Sequence, residues 1–561
     1  MSEKVRIAVF LCNCAGSLNK SLSFSKIMEA LGKEEDLSFV MESELLCSED
    51  CLSGLIVKVK EKKANRVLIG GCSPKLYEEL FRGRLMVEAG IDGNLVAVCN
   101  IREQCAWIIN DIDEATNKAL NLLRGALKRI RKAVPVYESE VLPQEEVLII
   151  GGGIGGIQTA IELSKSGFKV TVVEKEKELG GNVKRLNRFY QSEISPERFI
   201  EEKIEEIKGK AEILTNAEVI SLKGSCGDFI AGIKAGGRIL EKQFGSVVVA
   251  TGFQTYFPQE AYNLNPDERI ITQLELEEIL KDKEKARKIF GRGEDINVLF
   301  ITGMTGRFSK VSTGTVFKNS LLLKEQYKNR VFIACRNAFV AGEGLENLYR
   351  RVRDEGVIVF KFENKAPQFL LKDNKFFALI FDYYLSLKAS EEFLNPIIKI
   401  PCDVLVLEEE IIPSGDCENL REVLGVDFDS LKFFQRNNVH YFPVESNRKG
   451  IFFAGACRGT EEIPDAITDA KSAGIKVFEL LKGKIKCYKE RMAIDKDKCT
   501  LCLTCQRVCP HGAVTYTRAA VISEVACQAC GVCASECPNS AITLRTYTDE
   551  GIIAEIEGFV L

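Results

Sequence analysis

Val147-Leu148-Ile149-Ile150 runs straight into Gly151-Gly152-Gly153-Ile154-Gly155-Gly156, and a helical stretch from Ile157 to Ser164 follows. Gly167 suits the end of that helix, and Lys169-Val170-Thr171-Val172-Val173 reads as the next strand, ending at Glu174. Strand, glycine turn, helix and strand in this order make a mononucleotide-binding βαβ unit. Gly151, Gly153 and Gly156 occupy the G-x-G-x-x-G positions, which allow a tight turn, close backbone approach to a pyrophosphate, and close helix–strand packing. Glu174 lies 18 residues beyond Gly156, where a carboxylate accepts hydrogen bonds from a ribose. A glycine turn alone is weak evidence; one set between two strands with the acidic residue in place is strong.

Three further stretches favour FAD over NAD. Gly180-Gly181-Asn182 follows the acidic residue closely, Val247-Val248-Val249-Ala250-Thr251-Gly252 ends a second apolar strand in an Ala-Thr-Gly turn, and Gly450–Ala456 reads as the strand that meets the ribityl chain. Ala456 stands where that turn often carries Asp, and Ile463-Pro464-Asp465 opens a helix beneath the isoalloxazine. The candidate flavin contacts are Gly151, Gly153, Gly156, Glu174, Lys175, Gly181, Asn182, Ala250, Thr251, Gly252, Gly455, Ala456, Ile463 and Pro464. The plainer alternative is a set of buried strands. A degenerate NAD(P)-like subdomain is expected over about 260–400. Its candidate strand Asn297–Ile301 leads into Thr302-Gly303-Met304-Thr305-Gly306-Arg307, which is not G-x-G-x-x-G and has no clear acidic partner. The middle of the chain has no C-x-x-C, which excludes a dithiol mechanism.

The chain has 21 Cys and only two His, His440 and His511, so sulfur is the abundant ligand. Cys499, Cys502, Cys505 and Cys509-Pro510 form one C-x2-C-x2-C-x3-C-P run, and Cys527, Cys530, Cys533 and Cys537-Pro538 form a second. This is the two-cluster ferredoxin pattern, in which the fourth Cys of each run serves the other cluster. Cys499, Cys502, Cys505 and Cys537 are therefore assigned to one 4Fe-4S cluster, and Cys527, Cys530, Cys533 and Cys509 to the other. A zinc ribbon would use paired C-x2-C motifs rather than two runs of four.

Residues 1–133 read as a small α/β domain whose strands each run into a thiol: Val5–Leu11 into Cys12 and Cys14, Val67–Gly71 into Cys72, and Leu95–Val98 into Cys99. Open α/β sheets place ligands at such carboxyl ends; the bland alternative is that these Cys are small buried hydrophobes. Gly71-Cys72-Ser73-Pro74-Lys75, Asn100-Ile101-Arg102-Glu103-Gln104-Cys105-Ala106-Trp107, Phe452–Asp465 and the paired cysteine runs together resemble the HdrA family of heterodisulfide reductases over nearly the whole chain. The resemblance implies an N-terminal 4Fe-4S cluster on Cys47, Cys72 and Cys105 with Cys12 or Cys14 as fourth ligand. It also implies a multi-subunit complex and, in methanogens, flavin-based electron bifurcation or its reverse; with neither a nicotinamide loop nor a dithiol, ferredoxin or another iron–sulfur protein is the expected exchange partner. Two departures stand out. The ferredoxin module that members often carry inside the flavin domain has no counterpart between Asn182 and Val247, and Thr302–Phe317 holds no Cys where members cluster them.

The expected architecture is thus an α/β chain with a two-dinucleotide-binding, thioredoxin-reductase-like core (146–485). An N-terminal α/β domain (1–133) and a linker (134–145) precede it, and a two-cluster ferredoxin-like domain (486–561) follows. Leu120–Val134 reads as a basic amphipathic helix leading into the core. A net charge of −4 offers no basic field for nucleic acid, and no apolar stretch reaches the ~20 residues of a membrane helix. With no signal peptide at Val5–Leu11, a cytoplasmic site is expected. The functional expectation is an electron-transfer subunit with FAD, two 4Fe-4S clusters and a third at the N-terminus, on a core able to form a homodimer. No acid–base catalyst is named. The rivals are an NAD(P)H-dependent flavin and iron–sulfur oxidoreductase, and a docking scaffold with a redox-silent flavin.

Overall fold

A computed structural model describes residues 4–560 apart from 191, 193, 263, 265–266, 306–308, 364, 373–374, 383–395 and 489–490. The chain divides into two compact units, Met1–Val141 with Lys486–Leu561, and Leu142–Ile485. Among the described residues no helix is long and apolar enough to cross a membrane.

The first unit opens on four parallel strands, β1 (Ile7–Cys12), β2 (Leu37–Ser43), β3 (Arg66–Gly71) and β4 (Val96–Asn100), in the order β2-β1-β3-β4. Ile7-Ala8-Val9-Phe10-Leu11 is apolar without alternation, and all five residues are fully buried, because both faces of a parallel sheet are covered. Helix α1 (Ile112–Lys132) begins at Asp111, whose carboxylate accepts the Glu114 N–H at 2.8 Å. Arg129, Arg131 and Lys132 fill its last turn, where the helix dipole favours cations. The basic stretch expected as a lead into the core belongs to this helix, where Arg124 and Arg131 pair with Glu34 and Arg129 with Glu555. Its apolar face, Ala115, Ala119, Leu123, Ala126, Leu127 and Ile130, is core.

The second unit begins with β5 (Glu146–Ile150), α2 (Ile154–Lys165), β6 (Lys169–Val173) and β7 (Glu212–Leu214). A meander of β8 (Ala217–Ser225), β9 (Asp228–Ala235) and β10 (Arg238–Phe244) leads to β11 (Ser246–Val249). There follow β12 (Ile270–Thr272), α3 (Gln273–Lys281), β13 (Asn297–Thr302), α4 (Lys310–Tyr327), β14 (Arg330–Cys335), β15 (Ile358–Lys361) and β16 (Val404–Leu407). The chain then returns through α5 (Cys417–Leu424), β17 (Ile451–Phe453) and α6 (Ile463–Leu481). The sheets are β17-β11-β5-β6-β7 and β12-β16-β13-β14-β15. In each, the first strand of its βαβ unit lies at the centre, so the two halves repeat one another as in a two-dinucleotide-binding core. Gly306 and Arg307 of the candidate nicotinamide loop lie outside the described residues.

The tail completes the first unit. β18 (Met492–Ile494) pairs antiparallel with β21 (Ile542–Leu544), and β19 (Val514–Tyr516) with β20 (Ala520–Ile522). Helix α7 (Asp549–Val560) lies along α1. At the crossing a Cβ on Gly558 would stand 2.7 Å from Gly125 Cα, and one on Gly125 2.8 Å from the Glu555 carbonyl oxygen. Only two glycines let the backbones come this close.

Candidate functional site

The glycine turn between β5 and α2 is shaped by two near-collisions. Gly151 has φ +109°, and a Cβ there would run into the Ala250 carbonyl; one on Gly156 would strike the Gly151 carbonyl oxygen. Gly153, the N-cap of α2, has nothing within 4 Å of an added Cβ, which leaves the helix N-terminus open to an approaching phosphate. The buried Glu174 carboxylate accepts the Gly152 N–H at 2.5 Å and the Glu176 N–H at 2.9 Å, fixing the turn against the end of β6.

A cavity of about 590 Å³ lies on this turn, and one of about 370 Å³ shares its walls at Gly151, Glu174, Lys175, Thr251 and Ser414. The larger cavity is lined by every flavin contact named from the sequence except Gly156, which packs beneath the turn, and Pro464, which opens α6. Two joined cavities, an open helix N-terminus and a buried carboxylate fit an extended dinucleotide, so these residues suit FAD.

The larger cavity also has walls that sequence reasoning missed: Arg188, Tyr190, Lys318, Glu461 and Glu462. Lys318 Nζ is buried against Glu277 at 2.5 Å and donates to the Arg188 carbonyl at 2.9 Å. Burial pushes its pKa down. Tyr190 donates to Glu462 at 2.5 Å, and Lys310 pairs with Glu461 at 3.2 Å and with Asp465. Burial raises Glu461, against the opposing charges of Arg458 and Lys310. These partners lie far apart in the chain, so no local motif signals them. Cys457 is fully buried, its thiol donating to the Val249 carbonyl at 3.2 Å; it is a packing residue.

The second half of the repeat has different chemistry. Ala250 N–H donates to Ile150 O, and in the same place Glu408 N–H donates to Ile301 O. Ile150 pairs with Val173, and Ile301 with Ala334. Glu408 therefore stands where the flavin half has Ala250, and Cys335 where it has Glu174. The Glu408 carboxyl accepts the Gly303 N–H at 2.5 Å, so this turn amide is held from the β16 side, where the flavin half has only the small Ala250 and holds its Gly152 amide from Glu174 instead. The ribose carboxylate is absent from its place.

In the tail, Cys509 shares one small cavity with Cys527, Cys530 and Cys533, although it belongs to the first run. Cys505 lies within electrostatic reach of Cys502 and Cys499. Asn539, two residues past Cys537, donates to the Lys498 carbonyl and to Thr500, both at 3.1 Å, which draws Cys537 toward the first run. Amide N–H groups also aim at sulfur, from Ala513 to Cys509, Ala529 to Cys527 and Ala541 to Cys537, at 3.3–3.4 Å. Among the described residues no three Cys, His, Asp or Glu converge to hold a single metal ion; a cubane needs a wider spread of thiolates.

Among the N-terminal thiols, Cys12, Cys99 and Cys105 lie in the two cores that flank the sheet, with Cys14 packed against both. Burial raises both Cys12 and Cys72; Cys12 interacts with Cys14, and Cys72 with Cys12 and Arg102. Arg102 reaches Cys14 Sγ at 3.9 Å, and Tyr77 hydrogen-bonds Cys47. Cys105 is more deeply placed than Cys14, Cys47 or Cys72. It is fully buried in the core beneath α1, with Cys99 and Lys118 as its charged or titrating neighbours. The turn after β4 folds it into the core beneath α1, in the cluster that includes Leu11 and against which Cys14 also packs.

Comparison with known proteins agrees with both parts. The pyridine nucleotide-disulphide oxidoreductase family matches residues 145–299, and the 4Fe-4S dicluster domain family residues 491–544. The iron-sulfur HdrA component of the CoB–CoM heterodisulfide reductase of Methanocaldococcus jannaschii is 26% identical, over 99% of this chain and 98% of its own. Its alignment spans 654 residues, more than this chain possesses, so that relative carries residues without counterpart here. The corresponding component of the ferredoxin:CoB-CoM heterodisulfide reductase of Methanosarcina mazei is 27% identical, over 98% of this chain and 80% of its own. Among solved structures, Lactococcus lactis thioredoxin reductase is 16% identical and covers 60% of this chain and 99% of its own, with TM-score 0.41.

Proposed function

This chain is an HdrA-like protein of the heterodisulfide reductases, and from that premise we propose that it passes electrons between FAD and iron–sulfur clusters as one subunit of a heterodisulfide-reductase-like complex. The observation that carries the proposal is Cys509 standing with Cys527, Cys530 and Cys533 in a chain that also folds a dinucleotide cradle. When bound, FAD supplies exchange between one- and two-electron steps, and the clusters one-electron steps. The protein's share is placement. The open N-terminus of α2 receives the pyrophosphate, Glu174 orients the ribose, and the Ala513, Ala529 and Ala541 amides stabilise thiolate sulfur. Two 4Fe-4S clusters belong to the tail. A third belongs to the N-terminal domain, on Cys47, Cys72 and Cys105 with Cys12 or Cys14 as fourth ligand, and is supported by the interactions of Cys72 with Cys12 and of Cys12 with Cys14. Ferredoxin is the proposed exchange partner beside the other subunits, and the site of action is the cytoplasm.

The nicotinamide-dependent rival is opposed by Glu408 and Cys335, which replace the small residue and the carboxylate of the flavin half. The test uses the full chain with FAD and reconstituted clusters. Reduced ferredoxin should bleach the flavin, Cys533→Ala should slow that markedly, and NADH and NADPH should bleach it in neither protein. Rapid bleaching by either nucleotide would refute the routing. A flavin that stays oxidised while the clusters are reduced would make the chain a scaffold.

A further inference from the structure

Two carboxyl groups at the start of α6 stand between the larger cavity and solvent. Glu461 lines the cavity beside Ala456, Ile463 and Ala466, and its side chain is 21% exposed. Asp465, four residues on, lies off the cavity lining and is 41% exposed. The two are hydrogen-bonded to one another. Ionised carboxylates only accept hydrogen bonds, so a bond between two carboxyl groups requires a proton on one of them.

Positive charge surrounds the pair without replacing that proton. Lys310, the first residue of α4, reaches Glu461 at 3.2 Å and also pairs with Asp465. Arg458, in the turn after β17, lies 3.7 Å from Glu461 and donates to Asp469 of α6 at 2.7 Å. Arg436, in the loop before β17, faces Arg458, Glu461 and Asp469. Asp465 accepts the Glu462 N–H at 3.4 Å, and the Glu462 carboxylate is taken up by Tyr190 at 2.5 Å. Burial raises Glu461, and the bond to Asp465 adds to the rise. Against its own burial, Asp465 is held down by Lys310 and by the bond from Glu461. The proton therefore sits on Glu461, the member that faces the cavity.

We propose that Glu461 and Asp465 share one proton and deliver it to the flavin as it is reduced, Asp465 then drawing a replacement from solvent. The flavin takes two electrons from reduced iron–sulfur donors, one at a time. The Glu461 O–H bond breaks, an N–H bond forms on the flavin ring, and the product is the two-electron-reduced flavin anion. The pair is left as two carboxylates, with Lys310 between them as counter-charge until a solvent proton arrives. A general acid needs a pKa near the working pH and a place within reach of the acceptor, and two carboxyl groups sharing one proton raise one member toward that range. Glu461 is the donor; Asp465 and Lys310 are positioning residues that act through it. The inference rests on the flavin reading and adds to it the source of the proton.

The test uses the full chain with its clusters, first without flavin. Infrared spectra at pH 7 should show one protonated carboxyl fewer in Glu461→Gln and in Asp465→Asn than in the parent, and no loss in Glu479→Gln at the other end of α6. The amides of the first two variants can keep the hydrogen bond, so the loss reads the proton and not the fold. With FAD bound, the reductant is reduced methyl viologen, a one-electron donor that carries no proton. In the parent, flavin bleaching should precede the proton uptake reported by a pH indicator. In Glu461→Gln the two should coincide, bleaching should slow at least tenfold at pH 8, and Glu461→Asp should recover part of the rate. In Asp465→Asn the fall of the bleaching rate with pH should begin at lower pH than in the parent. No protonated carboxyl lost in either variant overturns the shared proton. Simultaneous bleaching and uptake in the parent, or equal rates in the parent and Glu461→Gln from pH 6 to 9, overturns the delivery. Failure to retain FAD, or to accept electrons from ferredoxin, falls on the proposed function instead, and the flavin-free spectra are independent of both.

Discussion

Glu408 accepts the Gly303 N–H at the end of β16, and burial, eased by that bond and by Ser312, lifts its pKa from 4.5 to about 7. A raised folded pKa means that the native state holds a proton that the unfolded chain has lost between pH 4.5 and 7. Stability from this group is therefore complete below pH 4.5 and falls as pH rises through 7. At ~1.4 kcal/mol per pH unit the loss is about 3 kcal/mol. Glu408→Gln keeps an acceptor for Gly303 and removes the titration, so its urea midpoints should fall less between pH 5 and 8 than those of the parent protein. Parallel curves would show that the group does not titrate in this window. Among the thiols, Cys537→Ala should damage the cluster held by Cys499, Cys502 and Cys505 and spare the other, as EPR of the reduced tail clusters would show. In the flavin half, Glu174→Ala should cost FAD retention on gel filtration, because the carboxylate ties down Gly152 and is the group proposed to orient the ribose. Undiminished retention would move the adenosine elsewhere.

Helices α1 and α7 depend on each other through a pair of absent side chains. At Gly125 and Gly558 there is no room for even a Cβ, and overpacking of this kind costs about 1–3 kcal/mol. Gly125→Leu should lower the thermal midpoint and speed hydrogen exchange across 549–560. Gly83, inside the helix Pro74–Ala89, has nothing within 4 Å of an added Cβ. Gly83→Ala should accordingly stabilise by about 0.5–1 kcal/mol through helix propensity. If the two substitutions had the same effect, close approach would not explain the crossing. The contrast also separates two glycines that look alike in sequence: both sit in helices, and only the partner helix distinguishes them.

At the scale of the whole molecule, the first unit is discontinuous in sequence, and the flavoprotein core is inserted between its two segments. All the cavity-lining flavin residues lie in Leu142–Ile485, so that segment produced alone should retain FAD. The tail produced alone leaves the apolar face of α7 without α1. It should incorporate iron less completely than a chain in which residues 1–141 are linked to 486–561; the linked form should take up about eight iron in its two tail clusters. Equal incorporation would show that the tail folds without its partner.

The turn at Gly151–Gly156 and the paired cysteine runs were legible in the sequence because each is a local requirement. A positive φ, a phosphate approach or a C-x2-C spacing is met by neighbours along the chain, so residue type and spacing record it. The place of Cys509 beside the second run was expected for the same reason, since two identical runs can be closed in few ways. Tertiary structure alone decided the rest. Lys318 finds Glu277, Glu408 takes the place opposite Gly303, and Cys105 turns under α1. The helix that read as a lead into the core became one side of a glycine crossing with the far end of the chain. Each of these is settled by burial and by contacts between residues distant in sequence, where desolvation and close packing choose the partner, and no short stretch of chain encodes that choice.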